Sequence, residues 1–297
     1  MMEHNISING RRYLLTSDDD YLRAEGAKFE RHMVSLFKSL IRPSDVVLDI
    51  GANIGLTAIL FSGLAKKVIA FEISPSTFLI LKENLLRAQA NNVSCHAIGL
   101  GDKSEVVSIS FAQNNRSMAF VSLLPPPPPP GGGYVVEKVQ IDTLDNYIKE
   151  TGENLVNFIK IDIEGFEMRC LKGMTKTLAK MKPIVVLELN HYCLDALHRI
   201  TVPDYFDFLL SIFPYAYAVD GDNSQILDLR DEKLRNIILH EHIMHQRFPN
   251  IVCSYDSGTE IILRKLEYQA KRAFRYRAKL CFCALAKRVC KKCMNLL

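Results

Sequence analysis

Val46-Val-Leu-Asp49-Ile-Gly51-Ala52-Asn53-Ile-Gly55 is the stretch that decides the fold. An apolar run of β-type residues ends in Asp49 and passes straight into a glycine-rich turn at Gly51 and Gly55. Leu56, Ala58, Ile59 and Leu60 then begin a helix. A strand, a tight turn and a helix N-terminus make a nucleotide-type pocket, because small residues let a ligand approach backbone N–H groups. Twenty-three residues after Asp49, a second apolar run (Val68 to Phe71) ends in Glu72. An acid at the tip of the second strand can accept hydrogen bonds from both ribose hydroxyls.

The variant of the turn selects the cofactor class. A nicotinamide dinucleotide fingerprint reads Gly-x-Gly-x-x-Gly, whereas this turn reads Asp-x-Gly-x-Asn-x-Gly. A carboxylate beside the turn repels a pyrophosphate and suits a cationic zwitterion such as S-adenosylmethionine. An ordinary strand-to-helix turn is the plainer alternative, and Glu72 at its spacing favours the cofactor. Asp49, Gly51, Ala52, Asn53 and Gly55 are then expected around the methionine part, with Glu72 at the ribose. Gly99 to Asp102, after a third strand, is expected beside the adenine, although Asp102 could equally cap the following turn.

Strands are expected at 46–50, 67–72, 93–98, 155–162 and 183–189, alternating with helices at 55–64, 75–90 and 165–181. Such alternation gives a parallel sheet with helices on both faces. Tyr215 to Val219 and Ile251 to Leu263 supply the last two strands, the final one antiparallel. Residues 24–40 carry a helical pattern, so residues 1–45 are assigned to an N-terminal helical segment. An insertion follows the third strand, with a hairpin formed by Val106 to Phe111 and Val135 to Ile141. Its loop holds Pro125 to Pro130 and then Gly131 to Gly133, and reads either as a lid or as a disordered surface segment.

Further acids gather at strand tips, where doubly wound sheets place their ligands. Asp162 and Glu164 are two apart and share a direction if the strand persists. Glu167 falls in the first turn of the next helix, where the dipole favours a carboxylate. His191, past the fifth strand, is a candidate general base or a hydrogen-bonded loop histidine. His242 and His245 share a helical face but lack a matching third ligand, so no metal site is expected.

Asp49-Ile-Gly-Ala-Asn-Ile-Gly55, Phe71-Glu72-Ile-Ser-Pro75, Gly99-Leu-Gly-Asp102, Ile141-Asp-Thr-Leu-Asp145 and Lys160-Ile-Asp-Ile-Glu-Gly-Phe-Glu167 occur in this order. Together they resemble the FkbM-type methyltransferases, closely over residues 25–192 and more loosely to 263. The resemblance implies an α/β, Rossmann-like class I methyltransferase: a doubly wound, mostly parallel, seven-stranded sheet with the hairpin insertion. It implies S-adenosylmethionine as cofactor and a hydroxyl acceptor, commonly on a sugar or polyketide-like product. It also places Asp162 by the methyl donor and Glu164 toward substrate. The Asp/Asn-Pro-Pro-aromatic tetrad used on base amino groups is absent from the fourth strand's tip, which favours an oxygen acceptor.

With 297 residues, 48% of them hydrophobic, the chain can bury one substantial core. The catalytic domain is assigned to 46–263 and a basic, cysteine-containing tail to 264–297. That tail carries eleven Lys or Arg against one acid, Glu267, so the net charge of +4 hides a mildly acidic body. Its basic, partly apolar pattern fits an anionic membrane surface, a nucleic acid or a solubilising role. Cys281, Cys283, Cys290 and Cys293 offer a zinc reading at a non-standard spacing. The absence of a signal sequence or an apolar span leads to an expectation of a cytoplasmic protein, peripheral to a membrane if the tail binds one. Competing readings are a cap or ribose methyltransferase and a non-catalytic interaction subunit.

Overall fold

The computed structural model describes residues 1–26, 28, 29, 31–112, 115–121, 133–221 and 225–273. The chain opens with a hairpin, β1 (Met2–Ile8) and β2 (Arg11–Ser17), followed by α1 (Tyr21–Glu25) and α2 (Arg31–Leu40). Then come β3 (Val46–Ile50), α3 (Leu56–Ser62), β4 (Lys67–Phe71), α4 (Pro75–Arg87) and β5 (Val93–His96). The insertion holds β6 (Gly99–Leu100), β7 (Glu105–Ala112), β8 (Asn115–Phe120) and β9 (Tyr134–Asp142). After α5 (Leu144–Thr151) follow β10 (Phe158–Ile161), α6 (Glu167–Lys172), α7 (Thr175–Met181) and β11 (Ile184–Glu188). A π-helical turn (Cys193–Leu197) leads to α8 (Val202–Ile212), β12 (Tyr215–Val219), β13 (Ile226–Asp228), α9 (Glu232–His245) and β14 (Asn250–Ser254). The last described helix, α10, covers 258–273.

The main sheet runs β13-β12-β14-β11-β10-β3-β4-β5. Its five strands from β11 to β5 are parallel, while β14 inserts antiparallel between β11 and β12. This is eight strands rather than the seven expected, because the short β13 adds an antiparallel edge to β12. β3 is buried at every position, as a central parallel strand covered on both faces must be. One face packs under α2, α3, α4 and the hairpin, with Phe37, Phe61 and Phe158 meeting edge-on at 4.9–5.9 Å. The other face packs under α6, α7 and α8 through Leu171, Leu178, Phe206 and Leu209.

Three further expectations are corrected. The segment before residue 46 begins with a β-hairpin, since Ile6 and Ile8 alternate across Ser7 and, with Leu15 of the paired strand, bury on the core. Asn84 of α4 ties that hairpin in: its amide donates to Thr16 O and Ile54 O, and its Oδ1 accepts from Thr16 N. The inserted hairpin is part of a four-stranded sheet, β6-β9-β7-β8, and its proline run lies outside the described residues. The boundary at 263/264 falls inside α10, whose Leu263 and Leu266 are both buried in the core. Residues 274–297, including the four tail cysteines, lie outside the described residues. No helix among the described residues is long and apolar enough to cross a membrane.

Candidate active site

The glycine turn is held from two sides. Gly51 and Gly55 have φ of +79° and +100°, and Asn53 between them takes +49°. A Cβ on Gly51 would lie 1.9 Å from the carbonyl oxygen of Asp162, so the turn sits directly on the tip of β10. From the other side, Phe71 O accepts from Gly51 N and Ala52 N at 3.0 and 2.9 Å. The Glu72 carboxylate accepts from Asn53 N and Ser74 N, both at 2.8 Å. Burial is the main reason its pKa rises to about 7, opposed by those two donors.

Two cavities flank this turn. The first is a largely apolar cleft lined by Ile73, Ile98, Gly99, Leu100 and Phe166, with Glu72 at one side and Asp162 and Glu164 where it meets the turn. Gly99 packs closely on the next loop, since a Cβ there would lie 2.4 Å from Ile73 Cδ1. Asp102 is not in that lining. It lies at the surface, where Arg169 donates to it from Nε and Nη2 at 2.9 and 2.7 Å. The guanidinium holds the Asp102 carboxyl below its usual range, against the opposing effect of burial.

The second cavity is lined by Gly51, Ala52, Asn53 and Thr57 on one side and by Lys160, Asp162, Glu164 and Glu188 on another; Tyr21, Phe29 and Met33 add to its wall. Lys160 is buried, its ammonium 3.2 Å from Asp162, 3.6 Å from Asp49 and 3.2 Å from Gly51 O. Burial alone would lower its pKa, but Asp162 and Asp49 keep it raised. Asp49 is fully buried behind this lysine and Thr57, whose hydroxyl donates to it at 2.7 Å. Asp49 therefore lines neither cavity, and burial raises its pKa despite the lysine. Gly55, similarly, serves the start of α3 rather than a cavity wall.

Glu164 has φ of +55° and accepts from Asn190 Nδ2 and Cys193 Sγ at 3.2 and 3.1 Å. Burial, and then Asp162, push its pKa up to about 7. Glu188 is raised further, by burial and then by Asp162 and Glu164. Glu167 is buried in the first turn of α6, where its Oε1 accepts from Ile163 N and Gly165 N. His191 lines neither cavity. Its ring packs edge-on against His242 of α9 at 5.0 Å, and its backbone N–H donates to His242 Nε2 at 3.4 Å. His242 is buried and bonds Arg247 O through Nδ1, not a solvated face residue.

The FkbM methyltransferase domain matches residues 49–216, more than half of the chain. This chain belongs to the FkbM methyltransferase family. It is 29% identical over 184 residues to the hexuronic acid methyltransferase AglP of Haloferax volcanii, covering 61% of this chain and 71% of that protein. It is 26% identical over 158 residues to methyltransferase 1 of Beauveria bassiana, covering 48% and 64% respectively. The crystal structure of an FkbM methyltransferase from Methylobacillus flagellatus aligns at 22% identity and a TM-score of 0.41, over 60% of this chain and 42% of that one.

As a family member the chain is a methyltransferase, and its cofactor is S-adenosylmethionine. The residues present fit that cofactor: the first cavity offers an apolar slot closed by Ile73, Ile98 and Phe166 for an adenine, with the Glu72 carboxylate for a ribose. Gly51 lines both cavities, and its lack of a side chain lets the turn lie against the carbonyl of Asp162. Lys160, Glu188, Tyr21 and Phe29 were not singled out in the sequence. The alternation Lys160-Ile-Asp162 carried a signal, because strand period two puts both on one face. Glu188 needed the register, since Ile161 pairs with Leu187 and the next positions fall side by side.

Proposed function

We propose that this family member transfers the methyl group of S-adenosylmethionine to a hydroxyl oxygen of a sugar or glycoconjugate. The observation that carries the reading is a junction: Gly51, Asn53, Asp162 and Glu164 line both cavities. The cofactor supplies an activated methyl group on a sulfonium, so the chain's task is chiefly placement and proton removal. In this reading Glu72 and Gly99 hold the adenosine, and Gly51, Ala52 and Asn53 hold the methionine part beside Asp162. The second cavity then takes the acceptor, its ring against Tyr21 and Phe29 and its hydroxyl at Glu164.

The bound cofactor would supply the methyl carbon to the hydroxyl oxygen with its sulfur as leaving group, and Glu164 would accept the hydroxyl proton. Asn190 and Cys193 orient that carboxylate from its other side. A relative named for hexuronic acid supports the sugar class. The test is isotope-labelled methyl donor with a panel of methyl hexosides and hexuronosides, read by mass spectrometry. A methylated sugar is expected from the wild type and is lost in Glu164→Gln, while S-adenosylhomocysteine still binds the variant. Label appearing only on added RNA, with no product from the panel, would replace the sugar reading with the cap or ribose one.

A further inference from the structure

We propose that Asp162, Glu164 and Glu188 form a binding site for a divalent cation of the magnesium, manganese or calcium class. One carboxylate oxygen from each lies within 4.8 Å of the others, a spacing at which a single ion reaches all three. The parallel register of β10 and β11 creates this meeting, because position 162 follows Ile161 and Glu188 follows its partner Leu187.

The charge around the cluster is unbalanced. Lys160 is the one ammonium lining the second cavity, and it is divided between Asp49, Asp162 and the Gly51 carbonyl. Glu164 receives only the neutral donors Asn190 and Cys193. A further sign comes from Glu188: its Oε2 is shielded from solvent and has no hydrogen-bond partner among the described residues, its carboxyl otherwise meets another acid, Asp162, and the residue lines the cavity. A buried carboxylate oxygen left without a donor is costly, and a bound cation removes that cost.

The donor set selects the metal. All three ligands are carboxylate oxygens, which suit hard cations rather than zinc or copper. Nearby softer groups are already engaged: Cys193 Sγ donates to Glu164 Oε2 within the cluster, and His242 Nδ1 bonds Arg247 O. Three protein oxygens leave coordination positions for water or for acceptor hydroxyls in the same chamber. A hydroxyl held there is more acidic, because a divalent cation stabilises the alkoxide form. This role rests on the methyl-transfer reading, whereas occupancy by the ion does not.

The experiment therefore titrates the full chain with Mn²⁺ alone, without methyl donor or sugar, and follows free Mn²⁺ by electron paramagnetic resonance. One saturable site with Kd no weaker than about 1 mM is expected, the weak end for carboxylate sites. Glu188→Gln is expected to weaken it at least tenfold, and Asp102→Asn, in the surface pair with Arg169, to leave it unchanged. Absence of binding at about 1 mM, or equal binding by wild type and Glu188→Gln, overturns the site. If Glu188→Gln does not fold, Asp162→Asn takes its place with the same expected loss. S-adenosylhomocysteine calorimetry on the wild type separates the readings: binding of the nucleoside without Mn²⁺ binding overturns the cation site and leaves methyl transfer standing.

Discussion

Glu72 braces Asn53: the carboxylate at the tip of β4 accepts the Asn53 backbone N–H at 2.8 Å and so fixes the glycine turn that follows β3. Its other oxygen accepts from Ser74 N at 2.8 Å, at the start of α4. The same side chain lines the cleft that fits an adenosine. One acid thus shapes the loop and, in the proposed reading, presents an acceptor to the cofactor.

Glu72→Ala is expected to weaken S-adenosylhomocysteine binding by about 1–3 kcal/mol, through lost charge-assisted hydrogen bonds and a loosened turn. Glu72→Gln retains one acceptor oxygen and falls between the two. Isothermal calorimetry checks both, and equal affinity in all three proteins would remove Glu72 from the cofactor site.

Lys160→Met leaves Asp49 and Asp162 without their buried cation. Breaking a buried ion pair by removing one partner costs about 3–5 kcal/mol. Denaturant unfolding at neutral pH should show that loss. Lys160→Arg should recover part of it, limited by the larger guanidinium in a site closed by Gly51.

The buried Glu167 has a pKa raised from 4.5 to about 7, chiefly by burial. Its folded-state value lies above its unfolded one, so the protonated form is favoured on folding. Its stabilising contribution is complete below about pH 4.5 and is lost as pH rises through about 7. Glu167→Gln keeps an Oε1 acceptor for Ile163 N and Gly165 N and removes the titration. Thermal melts should show the variant more stable than wild type at pH 8 and a shallower decline between pH 5 and 7. Parallel curves would mean that Glu167 does not titrate in that window.

A chain ending at Ala273 keeps α10 with Leu263 and Leu266 buried, and is expected to fold and bind S-adenosylhomocysteine. A chain ending at Leu263 loses Leu266 and most of α10 and should melt lower, by the roughly 1.5–3 kcal/mol that a buried leucine contributes. The segment 274–297 contains seven basic residues and no acid. Full-length protein should therefore sediment with anionic liposomes at low salt, and the chain ending at Ala273 should not. Equal sedimentation would move membrane contact to the body.

The shape of the turn is legible in the sequence: Gly51, Asn53 and Gly55 take positive φ, and Glu72 at the next strand's tip braces them, because turn chemistry and strand ends are written in neighbouring residues. Asp49 and Asp102 show the limit. Asp49 is expected at the cofactor and Asp102 either beside the adenine or as a turn cap, yet Lys160 stands in front of the first and Arg169 takes the second. Partners 111 and 67 positions away along the chain are invisible to spacing.

The sequence by itself determined the parallel α/β order, the place of the glycine turn and the family, because hydrophobic periodicity and contiguous motifs encode them locally. Only the tertiary structure decided that Glu188 meets Asp162 and Glu164, that His191 turns to His242, and that Tyr21 and Phe29 from the N-terminal segment wall the second cavity. Those choices depend on the register between β10 and β11 and on packing of α1 and the Phe29 segment against the core. Both are set by burial of side chains distant in sequence.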